Sequence, residues 1–143
     1  MQTFLIREKS ELAEVAAELL RCAGRRRKFV LYGDLGAGKT ALVQAICARL
    51  GVRETVASPT FSLVNEYSYF DGEAKGSALA HHIDLYRLRS TEEALDIGIE
   101  EYLDGPDYCF IEWPQLIESL LEEDTVQIKL ELLPDGGRKI VFL

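Results

Sequence analysis

Apolar residues recur at two spacings along the chain, and the places where the spacing changes mark out its elements. Over residues 11–23, Leu12, Val15, Ala16, Leu19 and Leu20 fall on one helical stripe, with Ser10 as an N-cap and Gly24 as the stop. Over residues 41–50, Leu42, Ala45, Ile46 and Leu50 repeat that period and Gly51 closes it. Strict alternation takes over at Phe61, Leu63, Asn65, Tyr67 and Tyr69, and again at Val126, Ile128, Leu130 and Leu132, which is strand period. The unbroken apolar runs Phe29-Val30-Leu31-Tyr32 and Tyr108-Cys109-Phe110-Ile111 have the character of strands buried on both faces.

Shorter signals fill the gaps. Phe4-Leu5-Ile6 predicts a first strand, and the polar turn at 71–77 folds residues 78–83 back as the second arm of a hairpin. Ser90 and Glu93 form a capping-box pattern that opens a short helix toward Leu95, and Leu103-Asp104-Gly105-Pro106 breaks the chain. Trp113-Pro114 leads into a helix reaching Leu121, and Pro134-Asp135-Gly136-Gly137 turns the chain onto a terminal strand at Lys139-Ile140-Val141-Phe142. Helices between strands, together with two antiparallel hairpins, predict an α/β fold with a mixed sheet flanked by helices. With 143 residues, 48% of them hydrophobic, and no repeat or linker, one domain over 1–143 is expected.

One stretch carries chemistry outright. The run at 29–32 leads directly into Gly33-Asp34-Leu35-Gly36-Ala37-Gly38-Lys39-Thr40, a full match to G-x-x-x-x-G-K-[ST]. Glycines there let backbone N–H groups close around phosphate oxygens without an intruding Cβ. The helix that follows, opening at Ala41, turns its unpaired N–H groups and positive dipole end toward those oxygens. Lys39 adds a point charge and the Thr40 hydroxyl a natural Mg2+ ligand. The fold expectation sharpens to that of a P-loop NTPase, with ATP and Mg2+ as cofactors.

Charge narrows the partners. A net charge of −8 at pH 7 and a pI near 4.8 oppose unaided binding to a nucleic-acid backbone, so any RNA connection is expected through a partner. Arg25-Arg26-Arg27-Lys28 is the one basic run, read as a solvated turn or as a docking patch for an acidic surface. Cys22, Cys47 and Cys109 lie far apart with no CxxC, which predicts buried free thiols. No run approaches 18 apolar residues and the first residues lack a signal-peptide core, so a cytoplasmic location without membrane contact is expected.

A phosphate loop alone does not hydrolyse; Mg2+ needs an acidic holder and water needs an orienting group. Asp84 ends the strand in His82-Ile83-Asp84 and Glu112 ends Phe110-Ile111-Glu112, and ligands of open α/β sheets sit beyond such strand ends. Both are candidate catalytic and metal-holding residues beside Lys39 and Thr40. Thr60, on a loop stiffened by Pro59, is a candidate γ-phosphate sensor. Arg87 is a candidate internal arginine finger, against pairing with a surface acid. His82 stands open between a site role and a structural one, and Trp113 is expected in the core ahead of a place near the nucleotide.

Together these pieces resemble the TsaE (YjeE) family of bacterial ATPases needed to make threonylcarbamoyladenosine (t6A) in tRNA. The matching blocks are 33–40, Ser58-Pro59-Thr60-Phe61 with Leu63-Val64-Asn65-Glu66-Tyr67, His82-x-Asp84-x-Tyr86-Arg87, and Ile111-Glu112-Trp113-Pro114, in the family's order. Gln115 departs from the acid expected after the tryptophan and proline. The resemblance implies an ATPase that joins the TsaD and TsaB proteins and touches tRNA only through that complex. A small-molecule kinase of phosphate-loop type is the alternative, although no arginine-rich lid is present. A nucleotide-gated binding module with negligible turnover is another. No Asn-Lys-x-Asp guanine reader is present, which disfavours GTP.

Overall fold

Four parallel strands form the centre of a seven-stranded mixed sheet in a computed structural model that describes all 143 residues. In chain order the strands are β1 (Gln2–Ile6), β2 (Lys28–Tyr32), β3 (Val64–Asp71), β4 (Gly76–Asp84), β5 (Tyr108–Glu112), β6 (Val126–Leu132) and β7 (Arg138–Phe142). The helices are α1 (Leu12–Ala23), α2 (Lys39–Leu50), α3 (Thr91–Asp96) and α4 (Ile99–Asp104). Across the sheet the order is β1-β7-β6-β2-β5-β4-β3, with β6, β2, β5 and β4 mutually parallel. β3 pairs antiparallel with β4 on one flank, and β7 and β1 continue antiparallel on the other. The expected mixed α/β sheet with two antiparallel hairpins is the observed one.

The period-2 rule explains the two cores. In β2, Phe29 and Leu31 point to one face and Val30 to the other. The first face meets Val15, Ala16 and Leu19 of α1 and Leu42, Val43 and Ile46 of α2, the larger of the two clusters. The second is roofed by α3, α4 and a 3-10 segment at Pro114–Leu120, through Ala94, Ile99 and Ile117. Each fully buried valine, leucine, isoleucine or phenylalanine among these stabilises the fold by about 1.5–3 kcal/mol. Cys47 and Cys109 are buried free thiols as expected, whereas Cys22 is only half-buried. No helix is long and apolar enough to cross a membrane.

Several local expectations are corrected. Ser10 does not cap the first helix: it sits inside a 3-10 turn (Lys9–Glu11) whose cap is Glu8. The Glu11 carboxylate accepts the backbone N–H groups of Arg7 and Glu8, both at 3.0 Å, which closes that turn, and no side-chain hydrogen bond caps α1. Residues 61–63 form a turn rather than strand, because Leu63 N donates to Pro59 O at 2.6 Å and Leu63 adopts φ 69°. The alternating pattern becomes strand only from Val64. β4 starts at Gly76, and α4 precedes the break at Gly105. The segment after Trp113 winds as 3-10 helix, with Pro114 at its start.

Candidate active site

β2 delivers the chain to the sheet's carboxyl edge and the glycine-rich loop begins there. At Gly33 a Cβ would stand 2.7 Å from the Leu130 carbonyl oxygen of β6, so only glycine lets the loop leave the sheet at this point. Gly38 caps α2 with φ 101°, a left-handed conformation that turns the chain into the helix. Lys39 is therefore the first helical residue, and its side chain lies back over the loop with the residue only 5% exposed.

The Lys39 ammonium donates to the carbonyl oxygens of Gly33 and of Asp34, the latter at 3.1 Å, and lies 4.2 Å from the Trp113 ring centroid. Burial pushes its pKa below the ordinary lysine value, with Glu112, Asp84 and Asp34 pulling the other way through their charge. Thr40 Oγ1 donates to Glu112 Oε2 at 2.9 Å.

Asp84 and Glu112 end adjacent parallel strands in matched register, which places the two carboxylates side by side. Both are buried. Asp84 has both oxygens engaged: Oδ1 accepts Tyr86 N–H at 2.9 Å and Oδ2 accepts the Thr60 hydroxyl at 3.1 Å. The Thr60 and Ser58 hydroxyls are 2.7 Å apart. His82, wholly buried, brings Nε2 to 2.5 Å from Glu112 Oε2.

Lys39, Thr40, Ser58, Thr60, Asp84 and Glu112, but not His82, line one cleft of about 350 Å3, together with Leu35, Gly36, Gly38, Ala41, Tyr86 and Trp113. Gly33, Asp34 and Ala37 are not on the cleft wall but face a separate pocket beside β6, and the first two supply the carbonyls that hold Lys39. A second groove of about 250 Å3 shares Gly38 and Ala41 with the cleft and is walled by Ile6, Leu12, Leu130 and Ile140, with Arg138 at its side. No cluster of three or more His, Cys, Asp or Glu side chains is gathered to hold a metal. The oxygens of Thr40, Asp84 and Glu112 nevertheless suit Mg2+, which takes one or two carboxylates and draws its other ligands from water and phosphate.

Two expectations fail in position. Trp113 is not a core aromatic: it lines the cleft, faces Lys39 and packs against Tyr86 at 4.9 Å between ring centroids. Its backbone is left-handed at φ 56°, ψ 59°, a strained choice for a bulky residue that is typical of sites. Arg87 neither reaches the cleft nor pairs with an acid; its guanidinium stacks 4.7 Å from the centroid of the exposed Phe61 ring. Sequence reasoning passed over Ser58 and Tyr86, although both stand inside motif blocks beside residues it singled out.

A protein-family model described as Threonylcarbamoyl adenosine biosynthesis protein TsaE matches residues 6–140. The chain belongs to the TsaE family. A curated relative from Treponema pallidum, "tRNA threonylcarbamoyladenosine biosynthesis protein TsaE", is 42% identical over 111 residues, covering 78% of this chain and 77% of its own. A relative of the same name from Rickettsia felis is 35% identical over 136 residues, covering 94% of this chain and 75% of its own. Among solved structures, Bacillus subtilis YdiB superposes with a TM-score of 0.74 at 29% identity, covering 99% of this chain and 83% of that one. The TsaE family resemblance and the α/β fold expected from the sequence are thus both met.

Proposed function

We propose that this chain is one ATPase domain that binds ATP with Mg2+ in the cleft, hydrolyses it, and so serves t6A formation on tRNA. The observation that carries the reading is a buried ammonium with no carboxylate partner, held on loop carbonyls at a helix N-terminus and set opposite two carboxylates. Such a charge is costly unless an anion completes it. In this reading Lys39 exchanges carbonyls for phosphate oxygens, and the backbone from Gly36 to Thr40 wraps them. Thr40, Asp84 and Glu112 hold the metal, which neutralises charge on the phosphate oxygens when bound. Glu112 orients the attacking water through its unengaged Oε1, the β–γ bond breaks, and ADP and phosphate leave. The apolar groove beside Gly38 takes the base. Thr60 senses the γ-phosphate from its bond to Asp84.

The acidity of the chain directs it to protein partners, TsaD and TsaB, and leaves tRNA contact to them, in the cytoplasm. Mass spectrometry of tRNA nucleosides from cells depleted of the protein tests the pathway, and loss of t6A is expected. Phosphate release with and without the two partner proteins tests the activity, with slow turnover alone and stimulation in the complex expected. Unchanged t6A, or no phosphate release under either condition, overturns the corresponding half.

A further inference from the structure

We infer that His82 is a positioning residue for Glu112, fixing by a hydrogen bond which carboxylate oxygen faces the reaction. The inference rests on the reading above, its turnover arm on hydrolysis and its affinity arm on the binding of ATP and Mg2+ in the cleft.

His82 lies on β4 two residues before Asp84, and Asp84 is the register partner of Glu112 on β5, so the imidazole crosses diagonally to the next strand. Nε2 meets Glu112 Oε2 at 2.5 Å, and Thr40 Oγ1 meets the same oxygen at 2.9 Å. A carboxylate only accepts, so the ring donates from Nε2, and in the neutral ring that does so Nδ1 is an acceptor. Nδ1 is buried and has no partner. An unpartnered polar atom inside the protein costs stability that an aliphatic side chain of similar size would avoid. The imidazole therefore gains nothing for packing alone; what it supplies is a donor aimed at Oε2.

The consequence concerns the other oxygen. With two donors on Oε2 and none on Oε1, the carboxylate plane is pinned and Oε1 is left as its one unengaged acceptor. Asp84 differs, since each of its oxygens already accepts a hydrogen bond. His81, the preceding residue, is not on the cleft, and its Nε2 lies 3.1 Å from Asp107 Oδ2, just before the start of β5. Only His82 of the two histidines acts on the cleft, and it does so through Glu112 without lining the cleft itself.

The test compares H82L, which keeps the burial and removes the donor, with H82Q, whose amide nitrogen reaches the place of Nε2. Removing a bond to a charged acceptor is worth about ten- to hundredfold, so single-turnover phosphate release by H82L should fall by about that factor. Calorimetric ATP affinity without Mg2+ should stay within about twofold of the parent, while the gain on adding Mg2+ shrinks. H82Q should recover both quantities to within about threefold, a rescue that a merely space-filling role would not give. H82L indistinguishable from the parent, or H82Q as impaired as H82L with both variants folded, overturns the inference. Should H82L not fold, 15N NMR of the ligand-free parent decides: a proton on Nε2 is expected, and a ring protonated on Nδ1 alone refutes the geometry. A parent that binds ATP but releases no phosphate dismisses hydrolysis alone, and the Mg2+ arm then decides His82. A parent that binds no ATP removes the site reading and this inference with it.

Discussion

The two edges of the parallel strands treat charge in opposite ways. At the starting edge every basic side chain but Arg25 in the run that leads into β2, Arg25 to Lys28, is committed internally. Arg26 donates to the carbonyls of Cys22 and Ala23 at 3.1 Å, closing the end of α1, and lies 5.4 Å from the Phe142 ring centroid. Arg27 pairs with Asp71 at 3.6 Å and stacks 4.8 Å from the Tyr108 centroid, and Lys28 donates to the Asp107 carbonyl. The run is structural, which removes most of its promise as a docking patch. At the finishing edge Lys39, Asp84 and Glu112 are all less than 6% exposed, and no ion pair joins the lysine to either acid. Charges that neutralise one another knit a fold; buried charges held apart are prepared for something not yet bound.

The comparison breaks first at Glu112. Glu112→Gln should lower ATP turnover about a hundredfold or more, because a group that orients or deprotonates water acts mainly in the transition state. ATP affinity should move by about threefold at most; equal losses in affinity and turnover would mean that Glu112 only holds nucleotide. Asp84→Asn should show the same split more weakly, since its oxygens are already bonded.

Lys39→Ala should weaken ATP binding by about ten- to hundredfold in calorimetry, while Lys28→Ala, at the other edge, leaves it unchanged. The sign with pH follows from burial. Because the folded lysine has its pKa pushed down from 10.5, the ammonium is lost on raising pH before an ordinary lysine would lose it. ATP affinity in the parent should therefore decline in the alkaline range below 10.5, and the Lys39→Ala variant should not show that decline. Parallel pH profiles for the two would refute the assignment.

Smaller effects sharpen the contrast. Thr40→Ala should forfeit most of the Mg2+-dependent gain in ATP affinity, about tenfold, with the metal-free affinity little changed. Thr60→Ala should leave ADP affinity intact and reduce the preference for ATP severalfold, which competition binding with the two nucleotides would reveal. Smallest is Arg27→Ala, a partly exposed ion pair and stacking contact worth about 1 kcal/mol in thermal or urea unfolding, with no change in nucleotide binding. A nucleotide effect from Arg27 would erase the distinction between the edges.

How much could be read in advance follows from the range of each interaction. The loop at 33–40 was legible because its geometry is local: glycine supplies φ 101° at Gly38, and the apolar periods on either side announce a strand and a helix. The strand-ending positions of Asp84 and Glu112 were legible for the same reason, as each closes an apolar run. Ser10 and residues 61–63 misled because hydrogen bonds accepted by the Glu11 carboxylate and the Pro59 carbonyl outweighed propensity.

By itself, then, the chain's residue order determined most of the helix and strand segments, though not α4 or the start of β3, as well as where the phosphate loop sits and which acids end strands. Strand order and register were decided only in three dimensions, by packing two faces of β2 against different helices. That register sets Asp84 beside Glu112, lets His82 reach across to β5, and leaves Arg87 on Phe61 instead of the cleft. The left-handed turn at Trp113, which swings the ring onto Lys39, has no local cause such as glycine to announce it. Short-range sterics act between neighbours in sequence, but the meeting of residues 72 apart, as in the Thr40–Glu112 bond, depends on the packing of the whole sheet.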